Sequence, residues 1–242
     1  MKSQQQQART AGMLYLLLAL SAPFGLLYVP AKLVQPGNAT ATADNIRASA
    51  SLLRFGIASE LIHQVIAVFL VLALYRLLKP VSEALSKQMV VFGALLSVPI
   101  VFVNVLNNIA ALVLVSGADF LSVFEKRQLD ALAYVFVRLH EHGITVASVF
   151  WGLWLLPFGI LVIRCGFIPR ILGVLLLVAG IGYLVNAFVA LVLPEFSPSV
   201  SQVVGPLQFG ELPIIVWLLV WGARAPSVAA PSTSATSAQG PG

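Results

Sequence analysis

The chain has 242 residues, 59% hydrophobic and only 10% charged, with a formal net charge of +5. A soluble domain carries about 25% charged residues, so the composition excludes an ordinary soluble fold. A single cysteine, Cys165, excludes an intrachain disulfide and offers no thiolate metal site.

In chain order, residues 1–9 form a polar tail with four consecutive glutamines, predicted to be cytoplasmic. Six apolar segments of membrane-spanning length follow: Ala11–Val34, Phe55–Tyr75, Val90–Val115, Ala131–Ile163, Ile171–Leu193 and Pro206–Trp221. The first follows Lys2 and Arg9 as a secretory signal would. It is longer than a signal core and has no clear small-residue cleavage site, so it is predicted to be a retained span. Between the first two spans, Pro36-Gly37-Asn38 predicts a turn. Thr40 or Thr42 is the expected N-cap of a short interfacial helix before Asp44. Before the fourth span, Ser122-Val-Phe-Glu125 has the pattern of a capping box. A helix from there to Ile163 would be about 60 Å long, with its first turns outside the hydrocarbon and a bend near Gly143. The short links Arg76–Lys87 and Arg164–Arg170 predict antiparallel neighbours. Prolines at Pro23, Pro99, Pro157 and Pro213 interrupt four spans. Residues 223–242, rich in Pro, Ser, Thr and Ala, predict a disordered cytoplasmic tail.

The basic residues follow the membrane. With the N-terminus inside, eight Lys and Arg fall in cytoplasmic segments and five in outer loops, which predicts both termini inside. The positive balance is therefore a topology signal, and no nucleic-acid partner is predicted.

Polar side chains inside spans are costly, by roughly 2.5–3.5 kcal/mol for a charge at the centre, so they should face one another or a wet cavity. Glu60, His63 and Gln64 share one face of the second span, and Asn104, Asn107 and Asn108 one face of the third. Gln208 and Glu211 share a face of the sixth. On the fourth, Arg138, Glu141, His142 and Thr145 form one stripe, while His140 points the other way with Gly143, Ala147, Trp151 and Trp154. Counted from the anchors, most of these lie in the outer third and Glu211 lies deeper, near the midplane.

Three chemistries fit this band. Glu60-x-x-His63 with His140, Glu141, His142 and Glu211 supplies ligand types suited to zinc or iron, although a di-iron bundle needs more copies of Glu-x-x-His. Glu211 and the asparagines suit a site handling protons or a polar solute. The same groups also serve as interhelical glue, at about 0.6–2 kcal/mol each.

Arg9-Thr-Ala-Gly-Met-Leu-Tyr15, Ala39-Thr-Ala-Thr-Ala-Asp-Asn-Ile46 and Val71-Leu-Ala-Leu-Tyr-Arg-Leu-Leu-Lys79 resemble a family of small bacterial polytopic membrane proteins, the domain-of-unknown-function family numbered 4386. So do Leu139-His140, Phe150-Trp-Gly-Leu-Trp-Leu-Leu-Pro-Phe-Gly159, Gly166-Phe-Ile-Pro-Arg-Ile-Leu-Gly173, and Gly210-Glu211 ahead of Trp217-Leu-Leu219. The resemblance covers about Arg9 to Gly222 and implies an inner-membrane protein with no established activity. It also implies an acidic residue at Glu60, a histidine at His140, an asparagine in the third span and a glutamate at Glu211. It offers no counterpart to Glu141 and His142, which favours the His140 stripe as the inward one.

The expected molecule is an all-α bundle of six transmembrane helices, N-in and C-in, whose first partner is the lipid bilayer. Its expected site is an outward-opening polar pocket of Glu60, His63, Asn104, Asn108, His140 and Glu211 that binds or passes a small polar solute or protons. No cofactor or resident metal is predicted. The alternatives are a metal-dependent intramembrane enzyme and a non-catalytic membrane partner protein.

Overall fold

The computed structural model describes residues 3–223, which are helical with no strand among them. The expected tail, residues 223–242, lies outside the described residues except for Ala223. Six helices are long and apolar enough to cross a membrane: Gln4–Leu33, Ala50–Leu78, Glu83–Leu114, Lys126–Cys165, Arg170–Val192 and Pro194–Val220. They are the first to sixth spans below, and the chain is an integral membrane bundle. Its exterior is apolar, with Leu20, Phe55, Phe69, Val103 and Ile181 all more than half exposed, as a surface facing lipid requires.

The prolines act differently from one another. Phe24–Tyr28 and Val91–Leu96 are π-helical, and each precedes a proline, Pro30 and Pro99. A proline cannot bond the carbonyl four residues back and its ring crowds it, so the preceding turn widens. Pro157 leaves the fourth span one continuous helix of 40 residues, about 60 Å long. The sixth span is broken: a 3-10 stretch, Gly205–Glu211, separates Ser197–Val204 from Leu212–Val220. Pro213 sits in the first turn of that last helix, where its missing N–H costs no bond. It therefore does not interrupt a helix; the break lies just before it.

Two helix starts differ from the sequence expectation. The connecting helix Ala39–Ala48 is capped by Asn38, whose side chain accepts from the Ala41 amide at 2.9 Å, rather than by Thr40 or Thr42. Thr42 is buried and accepts instead from the Gln35 amide. The fourth span starts with a capping box between Glu125 and Gln128, one turn later than Ser122–Glu125, because Ser122 closes a short 3-10 turn.

The fourth span packs along the third and the fifth, and the first span packs along the second and sixth. The contact between the fourth and fifth spans is made backbone to backbone. A Cβ on Gly152 would lie 2.7 Å from the Gly180 carbonyl oxygen, and one on Gly159 would lie 2.7 Å from that of Gly173. In lipid, where no hydrophobic effect drives helices together, such small-residue seams let dispersion and weak polar contacts accumulate. Gly166, with φ of 76°, then turns the chain between these two spans.

Two apolar clusters occupy the two ends of the bundle. One holds Tyr15, Leu74, Leu155, Phe158, Leu176 and Leu218; the other holds Val29, Ile46, Leu53, Ala111 and Val137. Glu60, Asn104, Asn108 and His140 fall between them along their spans and are all buried. Beyond the second cluster, Asp130 is 1% exposed and bridges Arg47 and Lys126, which both also pair with Asp44. These bonds clamp the connecting helix to the fourth span.

Two outcomes are expected. Gly173→Ala should destabilise the protein by about 1–3 kcal/mol in a denaturant titration, because its methyl would meet the Gly159 carbonyl. Gly205→Ala, with open space around it, should change stability by less than about 0.5 kcal/mol. The Lys126 ammonium, foremost, holds the Asp44 carboxyl below its ordinary value. A depressed acid stabilises the fold above its unfolded pKa and loses that contribution as pH falls through the folded value. Amide protection in Ala39–Ala48, referred to intrinsic exchange rates at each pH, should therefore fall below about pH 4 and hold between pH 5 and 8.

Candidate functional site

The buried charges of the second and fourth spans meet directly. Glu60 Oε2 and His140 Nε2 lie 2.9 Å apart, at 4% and 8% side-chain exposure. That distance is a hydrogen bond between the two side chains. The third span braces the pair: Asn104 Nδ2 donates to the His140 carbonyl at 2.9 Å, and Asn107 Nδ2 donates to Asn104 Oδ1 at 3.0 Å. Gly143 makes this possible, since a Cβ there would fall 1.9 Å from Asn104 Oδ1. On the other side Gly25 admits the Glu60 stem, which would lie 3.0 Å from a Cβ. Asn108 is buried one turn beyond Asn104. The opposite stripe of the fourth span is exposed: Arg138 pairs with Glu141 on the surface, and His142 is exposed beside them.

A second polar group forms where the sixth span breaks. Glu211 ends the 3-10 stretch at the N-terminal boundary of the last helix, without a side-chain capping bond to it. Gly210 brings it close to the fifth span, because a Cβ there would lie 2.7 Å from the Leu175 carbonyl oxygen. The Tyr15 hydroxyl donates to Glu211 Oε2 at 2.5 Å, and the Tyr183 hydroxyl bonds the same carboxyl. Three spans thus converge on one acid.

Glu211 opens on a cavity of about 560 Å³ to which all six spans contribute. Its polar lining includes Tyr15, His63, Gln64, Ser97, Tyr183, Gln208 and Glu211, and its apolar wall includes Leu18, Leu70, Ile144, Trp154 and Ile215. Trp151 Nε1 donates to Ser97 Oγ at 2.9 Å, tying the fourth span to the third at the wall. His63 reaches the cavity from the second span, its Nδ1 2.9 Å from Ser21 Oγ. Ser21 Oγ also lies in hydrogen-bond reach of the Leu18 carbonyl, so His63 is tied to the first span.

The six residues expected to form one pocket are therefore divided. His63 and Glu211 line the cavity, whereas Asn104, Asn108 and His140 do not. Glu60 and His63 share a small cleft with Ser21 and Gly25 beside it. Among the described residues, no group of three or more His, Cys, Asp and Glu side chains is placed to hold a metal ion. Tyr15 and Tyr183 line the cavity and Ser21 the cleft beside it, although the polar pattern of the spans did not point to them; Trp151 lines the cavity from the His140 stripe. A tyrosine hydroxyl deep in a span was the available signal, since it needs a partner there.

A family model described as domain of unknown function (DUF4386) matches residues 10–222, and the chain belongs to that family. A protein of Archaeoglobus fulgidus, described as an uncharacterized protein, is 27% identical over 171 residues, which cover 67% of this chain and 86% of that one. No solved structure matches the chain significantly.

The Glu60–His140 pair should behave as a unit. Removing one partner strands the other, so Glu60→Leu or His140→Leu alone should cost about 3 kcal/mol, and the double substitution should cost clearly less than the sum. A denaturant-based double-mutant cycle measures this, and additive losses would sink the coupling.

Proposed function

We propose that this member of the DUF4386 family binds a small, partly apolar solute inside its membrane bundle, with Glu211 and His63 as the polar contacts. The observation that carries the reading is the cavity of about 560 Å³, walled by all six spans, with the Glu211 carboxyl on its lining. Ligand pockets occupy roughly 300–1,000 Å³ and combine apolar walls with a few placed polar groups. This cavity has that size and make-up. The broken sixth span adds support, because discontinuous helices are how membrane proteins present polar groups at depth.

In this reading Glu60, His140 and Asn104 are positioning residues. They hold the second and third spans against the fourth, and so keep His63 and Gln64, one turn along from Glu60, at the cavity wall. Asn108 extends the same buried face. The solute enters from the outer side: the charge bias puts both termini in the cytoplasm, and the cavity reaches Leu27 and Gly205, toward the opposite end. The metal-enzyme alternative draws no support from the ligand geometry, since His140 is committed to Glu60 and Glu141 to Arg138.

Cysteine accessibility tests this reading. In a Cys165→Ser background, Ala67→Cys on the cavity wall should react with a small water-borne maleimide added from outside. Val65→Cys, which faces lipid, should not. An unreactive Ala67→Cys in folded protein would remove the solute-binding reading.

A further inference from the structure

Five aromatic residues, Tyr15, Trp151, Trp154, Tyr183 and Phe209, line the cavity that holds Glu211. Tyr15 and Trp154 lie 6.0 Å apart between ring centroids at 52°, and Trp151 meets Tyr183 edge-on at 6.4 Å. Trp154 stacks on the fully buried Phe158 and is also part of the cavity lining. The lining contains no Lys, Arg or Asp, and among the described residues Glu211 takes part in no salt bridge. Its carboxyl accepts from two tyrosine hydroxyls and keeps further lone pairs for the cavity.

We infer that the solute is an organic cation, an amine or quaternary ammonium with an apolar body; this rests on the solute-binding reading above. An anion would meet a carboxylate and no basic side chain other than His63. A neutral polar solute would gain nothing from ionising Glu211, since an uncompensated charge in a low-dielectric wall is costly and the acid would hold its proton. A cation supplies the counter-charge, and aromatic faces attract it through their quadrupoles while tolerating the desolvation that an apolar wall imposes. Carboxylate and aromatic rings thus select the same ligand class by separate physical routes. The apolar lining from Leu18, Leu70, Ile144 and Ile215 takes the body of the molecule.

The test uses the full chain in nanodiscs and two probes of the same shape, benzyltrimethylammonium and its neutral isostere neopentylbenzene. Trp151 and Trp154 lie in the wall, so tryptophan fluorescence reports occupancy. The cation should bind saturably and at least about tenfold more tightly than the isostere, referred to aqueous concentration. Glu211→Gln should weaken the cation by about tenfold and leave the isostere unchanged. Equal binding of the two probes overturns the inference, as does a Glu211→Gln protein that is folded and keeps the preference. If Glu211→Gln does not fold, the ratio in the unmodified protein decides. If neither probe binds while Ala67→Cys is labelled, the cation class falls and the solute cavity stands. If Ala67→Cys is unlabelled as well, both fall.

Discussion

Hydrocarbon offers no water, so polar groups that enter the bundle are costly unless they pair within the protein or face a cavity. That constraint explains where the interior of this chain spends its geometry. Glu60 and His140 hydrogen-bond across two spans, Asn104 doubles the bonds on a helix carbonyl, and Glu211 gathers two tyrosines. Each arrangement satisfies an expensive group, and each ties together helices that lipid alone would not hold. The buried polar belt between two apolar clusters therefore works as a set of registration points, fixing the rotation and depth of one span relative to the next.

Close approach of backbones is the other half of the design. The glycine seam between the fourth and fifth spans brings their axes together, and the fourth span then serves as the wall against which the third is braced. Gly143 and Gly25 open the gaps into which the Asn104 and Glu60 side chains fit. Gly210 draws the broken sixth span against the fifth so that Glu211 reaches Tyr183. Small residues and polar residues are coupled: remove the space and the hydrogen bond cannot form. The cavity is what remains where the helices do not close, with Tyr15, Trp151 and Tyr183 on its lining.

Much of this was legible along the chain. The six spans, the links between them, and the division of the fourth span into a His140 stripe and an Arg138–Glu141–His142 stripe follow from hydropathy and a period of 3.6 residues. Helix phase tells which side chains share a face, and it separates His140 from its neighbours in the structure as it does in the sequence. Proline was harder to read. Pro213 looks like an interruption, yet it occupies a first turn, while Pro30 and Pro99 widen the turns before them. The effect of a proline depends on where the helix begins, and tertiary contacts at Gly210 and Glu211 set that beginning.

By itself the sequence determined that this is a helical membrane bundle carrying costly polar groups in its spans, because length and transfer free energy act residue by residue. It also determined which side chains lie on common helix faces. Only the tertiary structure decided which faces meet. Glu60 found His140 rather than His63 or Glu211, and Glu211 found Tyr15 and Tyr183, on the first and fifth spans. The reason is physical: partner choice depends on the relative rotation, depth and separation of helices, and those come from glycine contacts and side-chain packing between segments distant in the chain.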